Sequence, residues 1–138
     1  MPIRRALALS LATLLLAVLG GCALLPRSGP IVYTRSGGFI GYADELVIQA
    51  DGLAVLTDRG TEVRFEVPAA TLVALDQAFA ASGFRDLPGS TIPPGSADMI
   101  ETTFTWRGHT VGFAEGIPDA LAPAALILST IVEEHRPG

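Results

Sequence analysis

Residues 45–65 read ELVIQADGLAVLTDRGTEVRF, three runs rich in apolar residues that two short polar segments separate. In the last run Val63 and Phe65 alternate with Glu62 and Arg64, as is typical of a β-strand that buries one face. Each separator ends in glycine, which tolerates the positive φ that tight hairpin turns require. The segment therefore predicts two consecutive antiparallel hairpins.

The register of the first hairpin depends on the length of its loop. A two-residue loop would place Ile48 opposite Val55 and turn the neighbouring apolar residues to the other face. A three-residue loop with Gly52 in the left-handed conformation instead places Leu46 and Ile48 on the same face as Leu56. We predict the three-residue loop, because it gathers the apolar side chains on one side of the sheet.

Further strands flank this region. Residues 31–35 are rich in β-branched and aromatic residues, which predicts a first strand, and a second is predicted over 45–49. The second hairpin is predicted to turn at 59–60. Apolar residues also alternate within 100–113 on either side of Arg-Gly at 107–108, which predicts a third hairpin with a two-residue loop.

Two helices are predicted to cover the sheet. The first, over 68–82, carries Leu72, Leu75 and Phe79 as an apolar stripe along one side. The second begins at Pro118 and has its own stripe of apolar residues. That stripe consists of Leu121, Ala125, Leu128 and Val132. The predicted fold class is α+β, with an antiparallel sheet of about five to six strands and two helices packed on one face.

The first 21 residues have the composition of a secretory signal. Two arginines at 4–5 precede a predominantly apolar stretch of 14 residues at 6–19, and small residues follow. A membrane-spanning helix needs about 20 apolar residues, so an uncleaved anchor is the weaker alternative. We predict a signal peptide over 1–21.

Leu19, Gly20 and Gly21 followed by Cys22 resemble the lipobox of bacterial lipoproteins. The resemblance implies cleavage between Gly21 and Cys22. It also implies lipidation of Cys22, with a diacylglycerol thioether and an N-acyl chain that together anchor the protein stably in a bilayer. An ordinary secretory signal with an incidental cysteine is the alternative. We predict a lipid-anchored protein on a bacterial membrane, facing outside the cytoplasm, in the outer membrane if the cell has one.

Removal of residues 1–21 would leave 117 of the 138 residues, enough for a flexible tether at 22–30 and one domain over 31–138. This part of the chain has seven arginines and 14 acidic residues, and seven minus 14 gives a formal charge of −7. Nucleic acids and anionic headgroup surfaces need basic patches. The charge therefore argues against both as partners and permits a basic protein.

Catalytic and metal-binding motifs are not apparent in the sequence. The chain has two histidines and one cysteine, and no phosphate-binding glycine loop, nucleophile elbow or zinc-ligand spacing. His109, at a predicted hairpin end, is expected to be a half-buried packing residue. The acidic pairs Asp44-Glu45 and Glu133-Glu134 are expected to be solvated surface. We predict a protein that is not an enzyme and has neither a metal nor a non-covalent cofactor.

Several segments in fixed order resemble the emfourin family. They are RSGGFIG at 35–41, FRDLP at 84–88, PPGSAD at 93–98 and GIPDAL at 116–121. The family is named for an inhibitor of protealysin, a thermolysin-type zinc metalloprotease. The resemblance implies a binding domain that presents loops to a metalloprotease and inhibits it. The alternative is a structural or interaction lipoprotein of the cell envelope with an unrelated partner.

The first candidate contact with a partner is the segment Arg35, Ser36, Gly37, Gly38 and Phe39. Its glycines let the backbone approach another surface closely, and its aromatic ring could fill an apolar pocket. In the alternative interpretation, the two glycines only permit a bend between strands and the aromatic ring belongs to the core.

Overall fold

The computed structural model describes residues 29–95 and 98–138. The predicted signal peptide, the lipobox and Cys22 lie outside the described residues. The elements, in chain order, are β1 (Ile31–Gly37), β2 (Tyr42–Ile48), β3 (Leu53–Asp58), β4 (Thr61–Glu66), α1 (Ala69–Ala81), a 3₁₀ turn (Phe84–Asp86), β5 (Ile100–Trp106), β6 (His109–Ala114), a second 3₁₀ turn (Asp119–Leu121) and α2 (Ala122–His135).

The six strands form one antiparallel sheet in the order β4-β3-β2-β1-β5-β6. β1 therefore lies inside the sheet and pairs with β2 on one side and with β5 on the other. Both helices pack on the same face, where their side chains join those of the strands in one apolar core. The predicted α+β class, with up to six strands and two helices on one face, is confirmed.

The first hairpin of the quoted segment has the predicted register. Ile48 lies opposite Ala54, and the amide of Gln49 donates to the carbonyl of Leu53 at 2.8 Å, which closes a three-residue loop. Gly52 in that loop has a φ of 94°. A residue with a Cβ is disfavoured there, so the glycine permits this loop, and the loop length decides the face on which each side chain lies.

The other two predicted hairpins turn through two residues each. Arg59 and Gly60 have φ values of 48° and 86°, and Arg107 and Gly108 have 49° and 74°. Two successive positive φ values are the type I′ geometry that matches the twist of paired strands. The strand registers on either side of both turns are those predicted from the sequence.

In the core, side chains of α1 pack against side chains of the sheet. Leu75 of α1 is fully buried, and Phe79 stacks on Trp106 of β5 at 5.4 Å between ring centroids. The indole nitrogen of that tryptophan donates to the Asp76 carboxylate at 3.0 Å, which satisfies its one donor. The apolar stripe predicted for α1 is therefore its buried side.

The buried side of α2 differs in detail from the prediction. Leu121, Leu128 and Val132 are fully buried as expected, but Ala125 is only partly buried. Ala124 and Ile131 are buried instead. The α-helix begins after a separate 3₁₀ turn. Its buried side therefore follows the i, i+4, i+7 spacing counted from Ala124.

The first two strands are longer than predicted. β1 continues past Arg35 to Gly37, and β2 begins at Tyr42, three residues before the predicted start at Glu45. The two strands face each other along their whole length, because a loop over 38–41 joins them directly. This makes the Gly-rich segment the end of a fourth hairpin.

Candidate protein-binding site

The loop between β1 and β2 presents two large apolar side chains to solvent. Phe39 is fully exposed and Ile40 is 68% exposed. They lie side by side between Gly38 and Gly41, whose φ values are 73° and 68°. We call these four residues the hairpin tip.

The hairpin tip is fixed by hydrogen bonds at both of its ends. The amide of Gly41 donates to the carbonyl of Gly38 at 3.0 Å. Arg59, in the neighbouring β3–β4 turn, donates from Nη2 to the carbonyl of Ile40 at 3.2 Å and from its amide to the carbonyl of Ala43 at 3.1 Å. The backbone that carries the two exposed side chains is therefore held both by its own turn and by the neighbouring β3–β4 turn.

A cluster of charged side chains lies directly behind the hairpin tip. Arg35 donates to Asp44 at 2.6 Å and to Glu133 at 3.1 Å. Arg136 donates to Asp44 at 3.1 Å, to Asp58 at 3.0 Å and to Glu133 at 3.0 Å. We call these five residues the ionic cluster. It joins β1, β2, β3 and the C-terminal end of α2.

Strand pairing explains why the ionic cluster forms at this place. Arg35 lies opposite Asp44, and Asp44 lies opposite Asp58, so one row across three strands carries charges on the helix-covered face. α2 ends at His135, and Arg136 follows it over this row. The guanidinium of Arg35 also lies 4.7 Å from the ring centroid of Tyr42.

The charges in the ionic cluster change the acidity of its outermost member. Hydrogen bonds from Arg136, and secondarily from Arg35, lower the pKa of Glu133 below its usual range. The two arginines therefore favour the ionised form of Glu133, the form that pairs with both of them.

An open cleft of about 540 Å³ adjoins the hairpin tip. Besides the tip, it is lined by Ile100 at the start of β5, which lies against Gly38, and by the segment that follows β6. The amide of Glu115 donates to the carbonyl of Ile100 at 3.1 Å and ties these two parts together. The described lining residues are Gly38, Phe39, Asp98, Ile100, Thr102, Glu115, Gly116 and Ile117.

The segment singled out from the sequence divides between two environments. Gly38 and Phe39 lie in the hairpin tip, whereas Arg35 turns inward to the ionic cluster and Ser36 is exposed on the opposite face of the sheet. Gly37 is the last residue of β1. The alternative interpretation, in which the ring of Phe39 belongs to the core, is wrong because that ring is fully exposed.

Two acidic residues expected on the solvated surface belong to the ionic cluster. Asp44 is buried, with only 1% of its side chain exposed, so its assignment to the surface is wrong. Glu133 is exposed, as expected, but binds both arginines of the cluster. A signal for Asp44 was present in the sequence, since it is in phase with Leu46 and Ile48 along β2.

The histidines make packing contacts. His109 lies edge-on to Phe84 at 5.5 Å between ring centroids, and its Nε2 lies 3.0 Å from the carbonyl oxygen of Leu87. His135 stacks on Phe65 at 3.6 Å. Within residues 29–95 and 98–138, no three histidine, cysteine or acidic side chains are grouped in a way that could hold a metal ion.

No family model matches the chain, and no curated protein has a significant similarity to it. The likeness to the emfourin family therefore depends on the four segments quoted above and remains a prediction. In the part of the chain that the structure describes, no helix has both the length and the apolar character needed to cross a membrane.

Proposed function

We propose that the chain is a membrane-anchored bacterial lipoprotein whose domain uses the hairpin tip to bind, and thereby inhibit, a thermolysin-type metalloprotease. The observation that carries the proposal is the exposure of Phe39 and Ile40 on a backbone fixed by hydrogen bonds. The emfourin-like segments support the class of partner, and the lipobox supports the anchor.

The energetics of the hairpin tip favour a binding role. Burying a large apolar side chain contributes about 1.5 to 3 kcal/mol, a contribution that Phe39 does not make within the domain and Ile40 makes only in small part. A partner with a matching apolar pocket would gain it on association. Because the loop is already ordered, binding would cost little conformational entropy.

The form of the hairpin tip favours inhibition over cleavage. Its backbone turns back on itself, with positive φ values at Gly38 and Gly41 and a hydrogen bond between them. Such a closed turn can insert a side chain into an apolar pocket without laying an extended peptide along the catalytic groove. It would block access while its own peptide bonds stay out of reach.

The position of the tip suits a tethered inhibitor. β1 begins at Ile31, one residue beyond the predicted tether, and runs for seven residues to Gly37, next to the tip. At about 3.4 Å per residue, the strand separates tether and tip by roughly 20 Å. The candidate contact would therefore lie at the end of β1 that is farther from the anchor.

Inhibition kinetics test the proposal directly. The processed, acylated protein in mild detergent would be incubated with protealysin, and with a second thermolysin-type metalloprotease, while hydrolysis of a short peptide is followed. We expect slowed hydrolysis at micromolar concentration. We also expect the double variant Phe39→Ala, Ile40→Ala to raise the inhibition constant more than about tenfold, because it removes both anchors.

The matched control removes two exposed apolar side chains elsewhere. Val73 on α1 and Leu126 on α2 are 51% and 67% exposed, so Val73→Ala with Leu126→Ala removes exposed apolar surface away from the tip, although less of it than the tip variant removes. The control variant should inhibit like the wild type. Hydrolysis that is not slowed by micromolar wild-type protein would overturn the assignment of the partner and favour an envelope lipoprotein with an unrelated partner.

The anchor has a separate test. Cys22→Ser removes the sulfur that would carry the diacylglycerol, and we expect the variant to move from the membrane fraction to the soluble fraction. Mass spectrometry of the wild-type protein should show a cleaved and acylated N-terminus. An unmodified thiol, or a variant that stays with the membrane, would overturn the anchor and leave the hairpin tip unaffected.

A further inference from the structure

The cleft beside the hairpin tip combines apolar walls with an acidic rim. Phe39, Ile100 and Ile117 supply apolar surface, and Asp98 and Glu115 supply two exposed carboxylates. None of the described lining residues is basic. A side chain that enters the cleft would therefore meet apolar surface along its length and negative charge at the rim.

We infer that the partner of the hairpin tip carries a lysine or arginine side chain beside the pocket that receives Phe39, and that this cation occupies the cleft. The inference rests on the proposed function, since it concerns the same interface. Lysine and arginine have apolar stems and charged heads, and they commonly lay the stem on apolar surface while the head stays in a polar environment. Ile100 and Ile117 would contact the stem, and Asp98 and Glu115 would pair with the head.

The position of Glu115 supports a role for its charge. It has a φ of 51°, a left-handed conformation in which glycine or asparagine is less strained than glutamate. Its amide fixes it to the carbonyl of Ile100, so the backbone at the rim has one defined place. A cation of the partner would meet a carboxylate whose backbone attachment is already fixed.

Charge at an exposed rim acts mainly on the rate of association and on its dependence on salt. The variant Asp98→Asn, Glu115→Asn removes both charges and keeps, at the second position, a residue that tolerates the left-handed conformation. With protealysin as the probe, we expect the association rate constant at low salt to fall about fivefold, with little change in the dissociation rate constant. The salt dependence of association should flatten.

The control must remove the same net charge elsewhere. Glu45→Gln with Glu66→Gln neutralises two exposed carboxylates, on β2 and at the end of β4, that do not line the cleft. It should change the association rate constant less than twofold. Equal falls in the association rate constant for the two double variants would show only a general effect of net charge and would overturn the inference. No fall for the rim variant would overturn it as well.

A second measurement separates this inference from the proposed function. N-acetyl-argininamide, and its uncharged analogue N-acetyl-norleucinamide, would be titrated to millimolar concentration while backbone amide signals of the full protein are recorded. We expect saturable shifts at Glu115, Gly116 and Ile117 with the arginine compound only, and their loss in the rim variant. If the protease fails to bind but these shifts occur, the partner class is wrong and the cation cleft stands; if they do not occur, the cleft assignment is wrong.

Discussion

Arg35 and Asp44 face each other across β1 and β2, with Nη2 of the arginine 2.6 Å from Oδ2 of the aspartate. The aspartate side chain is 1% exposed, and Arg136 contacts the same oxygen at 3.1 Å from beyond the end of α2. One buried carboxylate therefore links the hairpin behind the candidate site to the last helix. The stability of the fold should depend strongly on it.

Asp44→Asn keeps the shape of the side chain and removes the charge that pairs both arginines. Leaving a buried ion without its partner commonly costs 3–5 kcal/mol. Because the side chain of Arg136 is 28% exposed, we expect a loss of about 2–3 kcal/mol in the free energy of unfolding. Urea denaturation measures it. Glu45→Gln, at the exposed neighbour, should change the free energy by less than about 0.5 kcal/mol, and equal losses would contradict the role given to Asp44.

Residues beyond the last helix should also contribute to stability. Arg136 makes hydrogen bonds to Asp44, Asp58 and Glu133, although it lies outside α2. Deletion of residues 136–138 should therefore lower the free energy of unfolding by about 1–2 kcal/mol. Deletion of 137–138 alone keeps the arginine and is the matched control. The same midpoint of thermal unfolding for both deletions would show that Arg136 stabilises nothing.

The lowered pKa of Glu133 predicts the response to acid. A carboxylate with a lower pKa in the folded protein stabilises the fold above the pKa of the unfolded chain, and this contribution is lost as the pH falls through the folded pKa. The usual value is 4.5, so the urea midpoint should begin to fall as the pH drops past it. Glu133→Gln should make that fall shallower. Glu134→Gln, which removes an exposed carboxylate outside the ionic cluster, is the control variant, and identical pH profiles for all three proteins would refute the prediction.

The two glycines of the hairpin tip should differ in their tolerance of a side chain. A Cβ at Gly38 would lie 2.8 Å from Cγ1 of Ile100, whereas a Cβ at Gly41 would meet nothing within 4 Å. Each alanine variant should lose roughly 1–2 kcal/mol of stability from its left-handed backbone. Gly38→Ala should lose about 1 kcal/mol more, because Ile100 has to move. Urea denaturation of the two variants measures both losses. Equal losses of stability would mean that the Ile100 side chain can move at no measurable cost.

The hairpins were predictable because turn chemistry is local. The apolar residues around Gly52 select a three-residue loop, and the two Arg-Gly turns set the registers of two further strand pairs. The end of β1 was predicted too early, because the two glycines and the polar residue that follow Arg35 are typical of the end of a strand. In the structure the strand continues to Gly37, because a partner strand pairs with it along its whole length.

The candidate site was only partly predictable. The sequence indicated Phe39, but it did not show that Ile40 would be exposed beside it or that Asp98 and Glu115 would line one cleft. Those residues meet because β1 pairs with β5, a contact between distant parts of the chain that no local pattern specifies. The ionic cluster likewise depends on a contact between distant parts of the chain. Arg136, near the C-terminus, binds Asp44 and Asp58 on β2 and β3.

The path of β1 from the predicted tether to the hairpin tip has a mechanical consequence. If the proposed partner binds Phe39 and the proposed acyl chains anchor the protein, the pull acts mainly between Ile31 and the tip, along one extended strand. Tension would pass through covalent bonds that are already nearly straight. The helices and the rest of the sheet would carry little of the load, so the domain could hold its partner under force without unfolding.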